Sequence, residues 1–331
     1  MPNSHHPPSL LVTGSAGLIG AAVARAAHAL GGTIFAVDTL GSDARWRNLA
    51  GLPLADYWDR DELLARMERG RGLPRFDAVI HLGACTDTTE RDAGFLMRNN
   101  FAYTRALAAW CRARGVRFLY ASSAATYGDG ALGYSDAPAQ LPKLRPLNAY
   151  AFSKHAFDLW ALGAGAFDQP NGITGLKYFN VYGPGEAHKG DMRSMVLKAW
   201  EQIRATGKVR LFRSHRPEYR DGEQVRDFLH VDDAAAMTLW FLDHPEATGI
   251  YNLGSGTARS WNDLARAVFA ALGREPAIEY VPMPEAIRGA YQYSTCADLG
   301  RLRTAGCTLN PRTLEEGVKD YVCQLEGTGA R

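Results

Sequence analysis

Tyr150 and Lys154 stand four residues apart in Asn148-Ala149-Tyr150-Ala151-Phe152-Ser153-Lys154. On a helix that spacing puts both side chains on one face, a turn apart. A free phenol titrates near about 10 and is a poor base at neutral pH. A lysine ammonium beside it favours the phenolate and makes the tyrosine usable as a general acid/base. Alone, Y-x-x-x-K is also what an amphipathic helix with an exposed lysine shows. Two other segments give the pair a context. Leu10-Leu11-Val12-Thr13 is a short apolar strand running into Gly14-Ser15-Ala16-Gly17-Leu18-Ile19-Gly20, and a helical pattern follows. The next strand, Thr33-Ile34-Phe35-Ala36-Val37, ends on Asp38. This is the strand, glycine turn, helix, strand and acid of a dinucleotide site, with the helix N-terminus facing the pyrophosphate. The third segment, Phe118-Leu119-Tyr120-Ala121-Ser122-Ser123, is a buried-strand pattern ending in hydroxyls. A serine there lies on the edge where open α/β sheets bind ligands.

The elements that must position these residues alternate along the first half. Strand-like runs at 10–13, 33–37, 78–84, 117–122 and 173–178 are separated by helical patterns near 17–30, 60–69, 93–114 and 149–163. This predicts a doubly wound parallel Rossmann sheet covered on both faces, an α/β fold. At 331 residues the chain suits such a domain with a smaller mixed α/β substrate domain added. The dinucleotide domain is expected over 9–180 with a return near 228–253, the substrate domain mainly over 181–331, and 1–8 as a disordered lead-in. Residues 129–147, with Pro138, Pro142 and Pro146, read as a connector too polar for the core. Asp232 and Asp233 precede a helical run and read as an N-cap pair.

Composition narrows the partners. With 46% apolar residues and a formal charge of +2, the chain has ample core and no basic run interleaved with aromatics, so nucleic acid is not expected. No stretch approaches the roughly 20 apolar residues that span a bilayer. Cys85, Cys111, Cys296, Cys307 and Cys323 are odd in number and form no C-x-x-C. Reduced thiols in a cytoplasmic protein are expected, with no metal site. Cys85 follows the run Ala78-Val79-Ile80-His81-Leu82-Gly83-Ala84 and should lie near the cofactor as a small buried residue. The choice of dinucleotide stays open on these residues. Asp38 suits a ribose 2′-OH and NAD, whereas Arg45 and Arg60 suit a 2′-phosphate.

The glycine turn with its G-x-x-G-x-x-G spacing, Ser122-Ser123-Ala124-Ala125-Thr126-Tyr127-Gly128, Tyr150-Ala151-Phe152-Ser153-Lys154 and Arg226-Asp227-Phe228 resemble the extended short-chain dehydrogenases/reductases that act as nucleotide-sugar epimerases and dehydratases. Four longer runs resemble the ADP-L-glycero-D-manno-heptose 6-epimerases in particular: residues 81–90, Met97-Arg98-Asn99-Asn100, the run from Tyr178 to Gly190 ending His188-Lys189-Gly190, and Arg288-Gly289-Ala290-Tyr291-Gln292. The likeness covers about 10 to 325, and the H-K-G element is its most specific piece.

The resemblance implies redox-neutral epimerisation at C6 of an ADP-heptose through a transient ketone, supplying a lipopolysaccharide core precursor. It implies a tightly held NADP, one per subunit, and a homopentamer. Tyr150 and Lys189 would be the two bases. Ser123 would bind the reacting oxygen, and Lys154 would hold the nicotinamide ribose and favour the phenolate. The cofactor positions fall on Gly14, Gly17, Leu18, Ile19, Gly20, Asp38, Thr39, Arg45, Arg60, Leu82, Gly83, Ala84, Cys85, Thr86, Asn99, Lys154, Val181 and Lys189. The substrate positions fall on Ser123, Asn180, Asp191, Lys198, Phe212, Arg213, Ser214, His215, Arg226 and Tyr291, with Arg226 at the diphosphate. Leu82 stands where the family carries glutamate, a position of backbone contact only. Asp191 stands where an uncharged residue is expected, and an acid that close is expected to hold Lys189 protonated and hamper it as a base. Two rival readings differ in sequence. A dehydratase would carry an acidic pair after the Ser-Ser hydroxyls, where this chain has Ala124-Ala125-Thr126. A non-catalytic NADP-sensing protein would lose the Tyr/Lys pair, which this chain keeps.

Overall fold

Twelve strands, β1 to β12, are formed in the computed structural model, which describes residues 7–168, 172–289 and 291–327. They are Ser9–Thr13, Thr33–Asp38, Asp56–Asp59, Ala78–His81, Arg117–Ser123, Thr174–Tyr178, Asn180–Tyr182, Val209–Phe212, Val225–His230, Gly249–Leu253, Ala258–Ser260 and Ile278–Val281. Residues 1–6 of the expected lead-in and Ala290 lie outside the described residues.

Seven strands form one all-parallel sheet in the order β10-β6-β5-β4-β1-β2-β3. Val12, Val79, Ile80, Leu119 and Leu176 are almost fully buried, as a sheet covered on both faces requires. One face packs Val23, Ala27, Met237 and Phe241 from helices Leu18–Ala29 and Val231–Asp243. The other packs Leu107, Cys111, Phe157 and Ala161 from helices Tyr103–Arg114 and Ala149–Gly163. From β1 the chain winds outward in both directions, so the strand order reverses between β1 and β4. Crevices at such reversals are where open sheets bind ligands.

Beyond β6 the chain leaves this sheet. β7 and β11 flank β9 in a three-stranded mixed sheet, and β8 pairs with β12. Helices Met195–Thr206, Trp261–Ala271 and Leu314–Leu325 close a separate core around Val196, Ile203, Leu264, Val268 and Val318. Among the described residues no helix is long and apolar enough to cross a membrane.

Three local expectations are corrected. The strand expected over 78–84 stops at His81, because its partner β1 ends at Thr13 and turns away at Gly14, leaving the Leu82 amide's 3.0 Å bond to the Thr13 carbonyl as the last of the ladder. The 129–147 connector does enter the core: Leu141, Leu144 and Asp136 are buried, the leucines against Tyr127, Phe179 and Ile250. The helix at 231–243 is capped by His230, which leaves Asp232 and Asp233 in its first turn. There Asp233 takes two hydrogen bonds from Arg312, at 2.9 and 2.8 Å.

Candidate active site

The glycine turn is shaped by backbone crossing backbone. Gly14 has φ +68°, and a Cβ there would lie 2.6 Å from the Gly83 nitrogen. A Cβ on Gly20 would lie 2.0 Å from the Gly14 carbonyl oxygen. The turn after β1 and the chain leaving β4 therefore meet with no room for side chains. Gly17 caps the helix that begins Leu18-Ile19, with no side-chain cap and no acid in its first turn. Free amides at a helix N-terminus are a ready seat for a pyrophosphate, so the cradle fits a dinucleotide. Behind it, His81 is buried between Thr13 Oγ1 at 2.6 Å and Thr104 Oγ1 at 2.8 Å. Burial pushes its imidazole well below the usual range, so the ring is neutral.

At the end of β2, Asp38 accepts from the Ala16 amide at 2.8 Å and its neighbour Thr39 at 2.7 Å. Arg45 forks onto Asp43 at 2.7 and 2.9 Å, holding that carboxyl down to about 2, and one Nη lies 3.8 Å from Asp38. Asn48 donates to both the Ala16 and the Gly185 carbonyls at 2.8 Å. That amide joins the glycine turn to the segment carrying Lys189. Arg60 donates to Asn99.

The loop Leu82 to Thr86 is held by the last residue of the run Met97-Arg98-Asn99-Asn100, one past the expected cofactor position Asn99. Asn100, buried within a π-helical turn over Met97–Ala102, accepts from the Cys85 amide at 2.9 Å. It donates to the Cys85 carbonyl and to Ser153 Oγ, both at 3.0 Å, and Ser153 donates to the Tyr150 carbonyl at 2.7 Å. A π-turn inside a helix often marks a functional position, but nothing local in the sequence announces it.

Asn148 caps the helix that carries Tyr150 and Lys154, accepting from Ala151 at 2.8 Å. Tyr150 is buried and hydrogen-bonds Ser123. Burial raises its phenol, and the Ser123 hydrogen bond opposes the rise. Lys154 donates to the Ala121 carbonyl on β5 at 3.0 Å, and burial lowers its ammonium to about 8. Beneath them lies a fully buried ion pair, Asp158 with Lys177 at 2.7 Å. Asp158 also accepts from Ser122 at 2.7 Å and Tyr120 at 2.9 Å, and Lys177 donates to Thr126.

Ser123 on β5 is the register partner of Tyr178 on β6. One residue further on, the chain opens into a cavity of about 270 Å³ lined by Asn180, Val181, Lys189, Ser194, Phe228 and Trp261. Burial lowers the Lys189 ammonium, and the carboxylate that opposes this is Glu186. The expected influence of Asp191 on Lys189 is thereby corrected. The turn reverses at Gly190 (φ 53°), leaving Asp191 exposed, with its carbonyl accepting from Lys198 at 2.6 Å.

Arg226 is buried, with its guanidinium 4.9 Å from the Tyr291 ring centroid and 5.5 Å from that of Trp261. Among the described residues it has no carboxylate partner; tyrosines 134, 219 and 291 surround it. The Tyr291 hydroxyl accepts from Trp261 at 2.8 Å. Tyr293 lies 5.2 Å from Tyr291, and its hydroxyl accepts from the His215 amide at 3.2 Å. Segment 212–215 is further held by Arg213 to the Tyr280 carbonyl (3.3 Å) and by the Ser214 amide to Asp221 (2.9 Å). The structure thus joins Arg226, Tyr291 and Phe212–His215, while Lys198 stays on the outer side of the Lys189 turn. Trp261, Tyr219 and Tyr293 complete this wall and come from segments with no shared motif.

A dinucleotide cradle, a Ser/Tyr/Lys set and a second, cation-lined lobe define a nucleotide-sugar oxidoreductase or epimerase. A profile of the NAD dependent epimerase/dehydratase family matches residues 10–254. The ADP-L-glycero-D-manno-heptose-6-epimerase of Nitratidesulfovibrio vulgaris strain Hildenborough is 50% identical over 313 residues, 94% of this chain and 96% of the relative. That of Alkalilimnicola ehrlichii is 46% identical, covering 95% and 96%. The crystal structure of the Helicobacter pylori ADP-L-glycero-D-manno-heptose-6-epimerase superposes with a TM-score of 0.79 at 27% identity, covering 96% of each chain. The chain belongs to the NAD dependent epimerase/dehydratase family, and within it to the ADP-L-glycero-D-manno-heptose-6-epimerases.

Removing one partner of the buried pair leaves a charge without compensation. Lys177→Met should destabilise by about 3–5 kcal/mol, read as a drop in the urea midpoint at constant slope. The double variant Asp158→Asn/Lys177→Met should recover part of that loss. A single variant as stable as the parent would show that the pair contributes nothing.

Proposed function

We propose that the protein interconverts ADP-D-glycero-D-manno-heptose and ADP-L-glycero-D-manno-heptose by transient NADP-dependent oxidation at C6. One observation carries this reading. The cavity holding Lys189 begins one residue past the register partner of Ser123 and is walled by Phe228, from the same strand as Arg226. The carbinol end of a sugar can therefore lie towards Ser123 and Tyr150, with its diphosphate at Arg226.

A bound nicotinamide supplies hydride uptake and return; the protein supplies position and proton transfer. Gly14, Gly17 and Gly20 admit the pyrophosphate, with Leu18 and Ile19 opening the helix behind it. Asp38, Thr39, Arg45 and Arg60 face the adenosine ribose. Residues Leu82 to Thr86, Asn99 and Val181 flank the cofactor, and Lys154 holds the nicotinamide ribose. Ser123 donates to the reacting oxygen while Tyr150 moves its proton. Lys189 does the same from the other side for the other epimer, and its burial favours the neutral amine a base requires. Arg226 has a desolvated charge unmatched by any carboxylate among the described residues, which suits a diphosphate far better than a neutral group. Asn180, Tyr291 and the segment Phe212–His215 contact the nucleotide sugar, whereas Asp191 and Lys198 lie on the outer side of the Lys189 turn and do not. The reading extends to a cytoplasmic homo-oligomer, pentameric as the family resemblance implies.

Purified protein loaded with its own cofactor should equilibrate the two ADP-heptose epimers without added nicotinamide, followed by NMR. Unchanged ADP-heptose together with turnover of UDP-galactose would overturn the substrate assignment. Tyr150→Phe should keep its cofactor and melting temperature while losing about a hundred- to ten-thousand-fold in rate.

Arg45→Ala tests the cofactor choice. It should weaken NADP⁺ by about 1.5–3 kcal/mol, the range for charge-assisted hydrogen bonds, and leave NAD⁺ nearly unchanged. Equal weakening in a titration of both dinucleotides would remove Arg45 as the discriminating residue.

A further inference from the structure

Residues 183–194 carry Lys189 in a polar 3₁₀ turn that few apolar contacts could hold. One carboxylate gathers it. Glu186 is fully buried and accepts from the Gly183 amide at 3.3 Å and from Ser194 Oγ at 2.7 Å. Its second oxygen accepts from the Ser194 amide. Tyr321, buried on helix Leu314–Leu325, hydrogen-bonds the same carboxylate. Ser194 in turn caps helix Met195–Thr206, accepting from Leu197 at 3.3 Å. The start of the turn, its end and the C-terminal helix thus converge on one side chain. The Glu186 carbonyl also accepts from the Lys189 amide at 2.9 Å.

The charged groups around Glu186 are few. Lys189 lies on its own turn and Tyr321 on the last helix, and Tyr321 in turn has Arg193 and Glu201 beside it. Arg193 is paired with Glu201. Lys189 is then the cation that the Glu186 charge serves. A buried carboxylate held by several hydrogen bonds is fixed in place.

We propose that Glu186 is the positioning residue for Lys189, aiming its turn into the substrate cavity, and that Tyr321 thereby makes the C-terminal helix part of the catalytic apparatus. This rests on the reading of Lys189 as the second base.

The test is Glu186→Gln, with Tyr321→Phe as a variant that preserves charge. Glu186→Gln should lower kcat by about 100-fold, the scale of an ångström-sized misplacement, with little change in KM or in bound cofactor. It should also move a pH limb. Glu186 raises the Lys189 ammonium, so its loss lets burial lower that group further, and the acidic limb shifts to lower pH in the direction that uses Lys189 as base. Tyr321→Phe should reduce kcat less and leave that limb in place. A kcat within about threefold of the parent and an unmoved limb in Glu186→Gln would overturn the proposal. Should Glu186→Gln fail to fold, an unchanged kcat in Tyr321→Phe would overturn it instead. Lys189→Met separates the two readings. If it keeps activity, the second-base assignment fails; if it is inactive while Glu186→Gln is unaffected, only the positioning role fails.

Discussion

The buried pair of Asp158 and Lys177 is the constraint from which the reaction geometry follows. Two charges taken out of water cost several kcal/mol each unless they are paired and their remaining hydrogen-bonding positions are filled. Here those positions are filled by Ser122, Tyr120 and Thr126, which come from β5 and the turn after it, while the charges come from β6 and the helix at 149–163. A one-residue slip of either strand would turn these side chains to the opposite face and strand a charge. Register is therefore fixed where it matters. Asp158 lies one turn beyond Lys154 and two beyond Tyr150, so the pair that locks Asp158 also sets Tyr150 against Ser123.

Around that fixed point the site is organised for anions. The helix at 18–29 begins with uncapped amides and no acid in its first turn. Arg226 is a buried cation with no carboxylate partner among the described residues. These two positive positions lie one in each lobe, as the proposed pairing of a dinucleotide with a nucleotide sugar requires. The two lysines of the site are handled alike. Lys154 and Lys189 are both lowered by burial, and each has a nearby acid, Asp158 or Glu186, that limits the fall. Neither acid needs to touch substrate to matter.

What was legible in the sequence was local and periodic. The glycine turn, the strand ending in Ser122-Ser123 and the Tyr/Lys spacing each lie within a few residues, so pattern alone places them on a turn, a strand end and a helix face. What was not legible depends on distant segments meeting. Lys177 sits in a strand that reads as apolar, and Asp158 reads as a polar residue on an amphipathic helix; only the fold makes them partners. β3 is four residues, Asp-Tyr-Trp-Asp, whose two acids mask a strand pattern. Averaging over the polar connector at 129–147 hid Leu141 and Leu144. Proximity in sequence made Asp191 the obvious acid for Lys189, yet a left-handed glycine between them turned it outward, and Glu186 took the role from the other side.

The turn that carries Lys189 belongs mechanically to both lobes. Through Glu186 it is fixed to helices 195–206 and 314–325 of the second lobe. Through Asn48 it is fixed to the glycine turn, since one amide donates at 2.8 Å to Ala16 and to Gly185 alike. Asn48 ends the short helix Ala44–Asn48 that also holds Arg45. A group seated against Arg45 and the glycine turn therefore presses on the same short helix that steadies the Lys189 segment. The glycine turn and the Lys189 segment thus share one support, so a side chain that loosens Asn48 loosens both.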